Sequence, residues 1–498
     1  MYIGVDCGTQ GTKVVLLDTH KAHVVGEGYA PHELISDANG RREQHPSDWV
    51  SAFIRAFEQC VAQSGCNPKE IRGIGVSGQQ HGLVVLDAKG DVIRPAKLWC
   101  DTETADDNAW LLEQLGGEQG SIELLGLPIA TGYTVSKLVW LKQHDPESFA
   151  KIAHILLPHD YLNYWLTGEL VAEKGDASGT GFFDVRTRTW QTSVFDRFDA
   201  ASLADALPPL IEAEASAGFV QADVAKQLGL GSDVIVSSGG GDNMMGAIGT
   251  GNICDGKVTM SLGTSGTLYA YSSEAPKPMH SAIAPFCSST NGWLPLICTM
   301  NLTGVVNQVR GLFGYDLDAF DRAIKASSIG ASGITMLPFL SGERVPALPN
   351  ATGNLTGINP QNMTPENLCR ADIEGASYTL RYGLDRLGEG GINAETICLI
   401  GGGSKSAFWR QLMADLCNAK VVCPETEEAA ALGAAIQAVW CDQHAQGQAT
   451  SLNDLCDQFV HLNPAKSAQP SLAANQEYEQ AYQRYLDQLR TQYPNALN

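Results

Sequence analysis

Asp242 stands after three consecutive glycines, Gly239, Gly240 and Gly241, and before a short apolar run, Asn243-Met-Met-Gly-Ala-Ile-Gly. Glycines leave open space around a carboxylate, and phosphoryl transfer to a hydroxyl needs a positioned base of this kind. The competing assignment is a helix N-cap, a frequent task for aspartate. A cap alone does not require three glycines, which lose backbone entropy on folding and bring no packing. A second carboxylate, Asp6, ends an apolar stretch just before the turn Gly8-Thr9-Gln10-Gly11-Thr12-Lys13. There it suits a group that orients magnesium beside phosphates, and equally an aspartate that caps a turn.

That turn has a counterpart. Gly8-Thr9-Gln10-Gly11-Thr12 and Gly263-Thr264-Ser265-Gly266-Thr267 share the form G-T-x-G-T. Glycine–hydroxyl turns between strands aim several amides at one point, which suits a phosphate; plain hairpin turns are the alternative. Neither is a Walker A loop, because no G-x-x-x-x-G-K-[ST] occurs. A third loop, Gly401-Gly402-Gly403 with Ser406 nearby, could lie against a purine and ribose, or serve only as a strand-to-helix junction. Ser77-Gly78-Gln79-Gln80-His81-Gly82 ends another apolar run, and Gln80 and His81 are candidates for holding a polyol. A histidine satisfied within the fold is the competing outcome.

The elements that must position these residues follow from periodicity. Residues 2–6, 13–17 and 23–29 look like strands broken by turns. Residues 46–63 carry Trp49, Phe53, Ala56, Phe57 and Cys60 at helical spacing, and 71–77 is a buried strand. Residues 104–207 read as a mostly helical, lid-like insertion. The strand at 233–238 feeds Asp242. The theme then restarts: strands at 257–262 and 268–271, a helix at 364–387, a strand at 396–400, a helix at 407–417, a strand at 420–423, and helices at 429–440 and 473–493. The paired turns in equivalent settings predict a duplicated α/β body with a boundary near 246–256.

Composition narrows the function classes. A net charge of −22 over 498 residues argues against nucleic acid as a partner. No apolar stretch approaches the ~20 residues of a membrane helix, and MYIGVDCGTQGTK lacks the basic and apolar regions of a signal peptide. The 13 cysteines are scattered without a C-x-x-C pair, the pattern of thiols in a reducing compartment. A cytoplasmic location is expected.

The motifs together resemble the FGGY carbohydrate kinases, whose fold resembles actin and the heat-shock chaperone ATPases. The resemblance spans nearly the whole chain: IGVDCGTQGTK at 3–13, SGQQHG at 77–82, LPHDYLNYWLTGE at 157–169, GDASGTGFFDV at 175–185, GGGDNMMGAIGTG at 239–251, SLGTSGT at 261–267, LPFLSGERVP at 337–346 and GGGSKSAFWRQLMAD at 401–415. It implies two actin-like (ribonuclease H-like) α/β domains flanking a catalytic cleft. Residues 1–248 would bind sugar and carry the insertion; residues 249–498 would bind ATP. The implied activity is magnesium-assisted transfer from ATP to a pentulose, D-xylulose in preference to glycerol, in a protein compatible with a homodimer. L-xylulose, ribulose, gluconate and a polyol such as glycerol are alternatives within the class; a chaperone-like or sugar-sensing ATPase is the alternative outside it. The resemblance also implies roles. Asp242 would be the general base, and Gln80, His81, Asp242 and Asn243 the sugar ligands. Asp6 would help hold magnesium. Thr9, Gln10, Thr12, Lys13, Gly263, Thr264, Gly304, Gln308, Gly402, Gly403 and Ser406 would line the nucleotide. Two positions depart from the family pattern: Gln80, where Met is frequent, and the Thr102-Glu103 that follows Leu98-Trp-Cys-Asp, where Arg is frequent.

Overall fold

A computed structural model describes residues 1–275, 283–494 and 496. Its first sheet is built on β1 (Tyr2–Cys7), β2 (Gly11–Asp18) and β3 (His23–Pro31), an antiparallel meander. Helix α1 (Pro46–Ser64) then crosses over to β4 (Gly73–Gly78), which lies parallel to β1. After helix α2 (Pro158–Thr167), β5 (Ile235–Ser237) adds parallel to β4, and helix α3 (Asp242–Gly249) follows.

The second sheet repeats this plan. Strands β6 (Lys257–Leu262), β7 (Gly266–Ala270) and β8 (Trp293–Thr299) form the meander. Helices α4 (Thr303–Leu312) and α5 (Pro365–Glu389) precede β9 (Thr396–Ile400), parallel to β6. Helix α6 (Ala407–Cys417) leads to β10 (Lys420–Val422), parallel to β9. Strand order is thus β3-β2-β1-β4-β5 in one sheet and β8-β7-β6-β9-β10 in the other. The repeat hinted at by two five-residue turns extends to the topology of both sheets.

Helix α7 (Ala429–Ala445) ties the C-terminal half to the first sheet. It is buried on nearly every side, as expected of a helix apolar all round. Its Ala-rich surface lets backbones approach closely: a Cβ on Gly4 of β1 would lie 1.8 Å from the Ala431 carbonyl oxygen, and one on Gly249 of α3 the same distance from that of Ala429. The C-terminal helix α8 (Leu472–Gln492) buries Tyr478, Tyr482 and Tyr485 against the second core.

Two expectations need correction. In the segment 104–207, where Lys174–Ala177 is a single α-helical turn, the longer α-helices end at residue 167. Beyond it come two-residue strands, Ala172–Glu173, Phe183–Asp184 and Thr189–Trp190, and 3-10 turns. Glycines and threonines in 175–189 favour turns and short extended pieces over helix. Nor is the segment simply a lid, since α2 buries Leu162 and Leu166 in the core shared with Phe53 and Ile74. Strand β8 and its edge partner Ala284–Cys287 were missed, because Pro295 in β8 argues against a strand. Pro295 sits opposite Pro285, on the edge pairing of the sheet. All 13 cysteines are free and none is fully exposed. Among the described residues, no helix is long and apolar enough to cross a membrane.

Candidate active site

The three glycines before Asp242 are forced by their surroundings. Gly239 has φ 73, which favours glycine. Gly240–Gly241 pairs alongside Ser77 and Gly78 at the end of β4. A Cβ on Gly240 would meet Ser289 Oγ at 2.4 Å, and one on Gly241 would meet Gln80 Cγ at 2.7 Å. The chain therefore delivers Asp242 to the point where β4 gives way to Gln80 and His81. Asp242 is not the helix cap: Gly241 occupies that position and Asp242 is the first helical residue.

Half-buried Asp242 accepts through Oδ1 from the Asn243 amide at 2.7 Å and from Asn243 Nδ2 at 2.9 Å. Asn243 Nδ2 also donates to Gln80 Oε1 at 2.8 Å. Among the described residues none donates to Asp242 Oδ2. Burial, reinforced by the charge of Asp6, pushes the Asp242 carboxyl up to about 7. Asp6 accepts from Ser77 Oγ at 3.0 Å, and burial raises it to about 6 against the pull of Lys13. Two carboxylates with raised proton affinity thus stand close together, the pattern of a site doing acid–base or cation chemistry.

Gln80 is buried, and its Nε2 donor has no partner among the described residues. His81 adopts φ 64, and its ring lies 4.8 Å from that of Tyr133 and 5.5 Å from that of Phe286. Burial and the charge of Lys137 take its imidazole down to about 3, so the ring is neutral.

The two G-T-x-G-T turns are hairpin turns, joining β1 to β2 and β6 to β7. In the first, the Thr9 hydroxyl donates to Gln79 Oε1 at 3.1 Å and accepts from Trp99 Nε1 at 2.9 Å. Gln10 is exposed, and Lys13 Nζ pairs with Glu428 Oε2 at 2.6 Å. Thr12 is a correction: its side chain is fully buried and its hydroxyl bonds His32 Nε2 at 2.8 Å, so it offers nothing to a ligand. In the second turn, the Gly263 carbonyl accepts from Thr303 Oγ1 at 2.7 Å, and the Thr264 carbonyl accepts from the Gly304 amide at 3.2 Å. Gly304 packs 3.0 Å (as a Cβ would) from Thr264 Cγ2, and Gln308 is exposed one turn further along α4. The Gly401 loop abuts the same place: a Cβ on Gly403 would touch Leu262 Cβ at 2.7 Å, while one on Gly402 would meet open space. Ser406 caps α6, accepting from the Trp409 amide. Gly263, Thr264, Gly304, Gly402 and Gly403 therefore gather where β6 and β9 end.

Comparison with known proteins decides the family. Residues 1–249 match the N-terminal domain of the FGGY family of carbohydrate kinases, and residues 258–441 match its C-terminal domain. The chain belongs to the FGGY family. This FGGY kinase is 50% identical to a xylulose kinase of Haemophilus influenzae, over 99% of this chain and all of that one. Among solved structures it resembles a "xyloylose kinase" from Brucella ovis, with TM-score 0.91, 30% identity and 99% of both chains covered. It also resembles a xylulose kinase from Bifidobacterium adolescentis, with TM-score 0.82, 32% identity, and 96% and 99% of the two chains covered. As a member of this family the protein is a carbohydrate kinase of two-domain, actin-like fold that uses ATP and a sugar.

Sequence reasoning missed four neighbours of the candidate site. Asp176, fully buried, accepts from or donates to His159 Nδ1 at 2.6 Å and lies 3.0 Å from where a Cβ on Gly241 would be. Lys137 is fully buried beneath His81. Trp99 holds Thr9, and below it Lys97 binds Asp101 Oδ2 at 3.2 Å and Glu103. Glu103, the departure from the family pattern, is thus spent on a buried lysine. A charged residue within an otherwise helical apolar face, as in Val135-Ser-Lys-Leu-Val-Trp, was the available signal for Lys137.

Proposed function

We propose that this FGGY kinase transfers the γ-phosphoryl group of ATP to D-xylulose, giving D-xylulose 5-phosphate. The observation that carries the reading is Asp242: one oxygen is fixed by Asn243, the other has no donor among the described residues, and Gln80 is reached through the same asparagine. The sugar lies against Gln80, His81 and Asn243, with its terminal hydroxyl donating to Asp242 Oδ2. Asp242 accepts that proton as the oxygen bonds phosphorus and the bond to the β-phosphate oxygen breaks, leaving ADP. A neutral His81 can accept or donate to a sugar hydroxyl without adding charge.

The nucleotide lies on the β6–β9 end, between the Gly263-Thr264 turn, Gly304, Gln308, Gly402, Gly403 and Ser406. Thr9, Gln10 and Lys13 face its phosphates from the first turn, and residues 1–248 and 249–498 close over the reacting groups, excluding water. Magnesium fits this donor set: Asp6 supplies a hard oxygen, and among the described residues no three acidic, histidine or cysteine side chains gather as a complete cage. An ion held mainly by phosphates and water, with Asp6 beside it, matches magnesium's preference. When bound it neutralises charge on the transferring phosphoryl group. A cytoplasmic homodimer completes the reading, supported by the unexposed free thiols and by the family resemblance.

Measurement of ADP release with D-xylulose, L-xylulose, ribulose, gluconate and glycerol tests this. D-xylulose should give the highest kcat/KM; a higher value for any other compound reassigns the substrate.

A further inference from the structure

Lys137 is an anomaly in the fold. Its side chain is fully buried, yet no carboxylate lies within 4.0 Å of its ammonium among the described residues. A buried cation without a counter-ion is unfavourable, and an apolar side chain of similar volume would fill the space at less expense. Burial accordingly pushes the ammonium down to about 7, against the charge of Asp101.

The three hydrogens of the ammonium have definite destinations, all of them main-chain carbonyls. Nζ donates to His81 at 2.8 Å, to Tyr133 at 3.2 Å and to Gly132. Thr134 Oγ1 adds a second donor to the His81 carbonyl at 3.2 Å. His81 needs such a tie, because its φ of 64 is a left-handed conformation that non-glycine residues adopt at a cost. Tyr133 needs it for another reason: its ring is one wall of the His81 ring. Gly132 in turn presses against the Trp99 carbonyl, where a Cβ would come within 2.3 Å. One ammonium therefore joins two loops that flank the sugar ligand assigned above.

We propose that Lys137 is a positioning residue of the sugar site, clamping the carbonyls of His81, Gly132 and Tyr133 so that the His81 ring meets the substrate in a fixed orientation. This rests on the assignment of His81 to the sugar. The residue touches no substrate itself and acts through His81. A lysine is suited to the task because three donors on one atom can serve three carbonyls that no hydroxyl or amide could reach together.

The test is a comparison of Lys137→Met, Thr134→Val and His81→Gln by sugar KM, ATP KM, kcat and melting temperature. Loss of a charged hydrogen-bond donor should raise the sugar KM of Lys137→Met about ten-fold or more. The ATP KM should stay as in the wild type. Thr134→Val should shift sugar KM in the same direction by less, and His81→Gln should raise it too. A folded Lys137→Met enzyme with wild-type sugar KM, or with equal losses for both substrates, overturns the proposal. If Lys137→Met does not fold, Thr134→Val decides, and an unchanged sugar KM there counts against it. An unchanged KM in His81→Gln would remove the sugar assignment and the proposal with it; an impaired His81→Gln beside normal Lys137→Met and Thr134→Val would remove the proposal alone.

Discussion

Asn243 places its Nδ2 2.9 Å from Oδ1 of Asp242 and its backbone amide 2.7 Å from the same oxygen. Both local hydrogen bonds converge on one carboxylate oxygen, which orients the group and leaves Oδ2 with no donor among the described residues. If Asp242 is the base, as proposed, the asparagine fixes it without consuming its basic atom.

The raised proton affinity of Asp242 makes activity and stability move in opposite directions with pH. A base must be deprotonated, so kcat should rise as pH increases through about 7. A carboxyl raised in the folded state from its ordinary 3.8 favours folding only while it keeps its proton. That contribution is complete below pH 3.8 and is lost as pH rises through about 7. Asp242→Asn should therefore melt near the wild-type temperature at pH 4 and above it at pH 8. Calorimetry across that range checks the sign; a variant less stable than wild type at pH 8 contradicts it.

Gln80 presents a buried donor with no partner among the described residues. Replacing it by Met removes that unsatisfied donor but also the acceptor of Asn243 Nδ2, so the melting temperature should change little. The same change should raise sugar KM about ten-fold or more, because a substrate hydroxyl loses its partner. Steady-state kinetics on Gln80→Met with D-xylulose gives the answer directly.

In the proposed function Asp6 acts on the phosphate side of the site. Asp6→Asn should lower turnover by about 10²-fold or more through lost electrostatic support of the phosphoryl group. Sugar binding, followed by calorimetry without ATP, should survive. Additional magnesium should recover part of the turnover, and an Asp6→Asn enzyme with an unaltered magnesium dependence would exclude the assigned role.

Much of this arrangement was legible in the sequence because the determinants were local. Strand β9 and helix α6 have the residue limits that periodicity predicts, and the glycines beside Asp242 and in both turns mark places where backbone must approach something closely. The family followed from the same motifs. What could not be read is non-local. Thr12 looks like a phosphate ligand in its turn, yet pleating sends its hydroxyl inward to His32, a residue of the segment after β3. Lys137, Asp176 and Trp99 come to the site through contacts distant in sequence: Lys137 Nζ with the His81 carbonyl, Asp176 with His159 and Trp99 Nε1 with Thr9. Helix α7 gave no sign that it crosses back to the first sheet, because an all-round apolar helix names no partner.

That crossing gives a packing prediction. A Cβ on Gly4 would overlap the Ala431 carbonyl oxygen of α7. Gly4→Ala should destabilise by at least the ~1–3 kcal/mol typical of overpacking. Its melting temperature should fall by several degrees, and a variant as stable as wild type would mean that α7 does not lie against β1.

The most direct test of the central claim is single-turnover phosphoryl transfer to D-xylulose by wild type and Asp242→Asn, with ATP affinity measured on both. Loss of a general base should slow transfer by about 10²–10⁴-fold while ATP affinity is retained. Near-normal transfer by Asp242→Asn would show that another group takes the sugar proton, and the account of this site would be wrong.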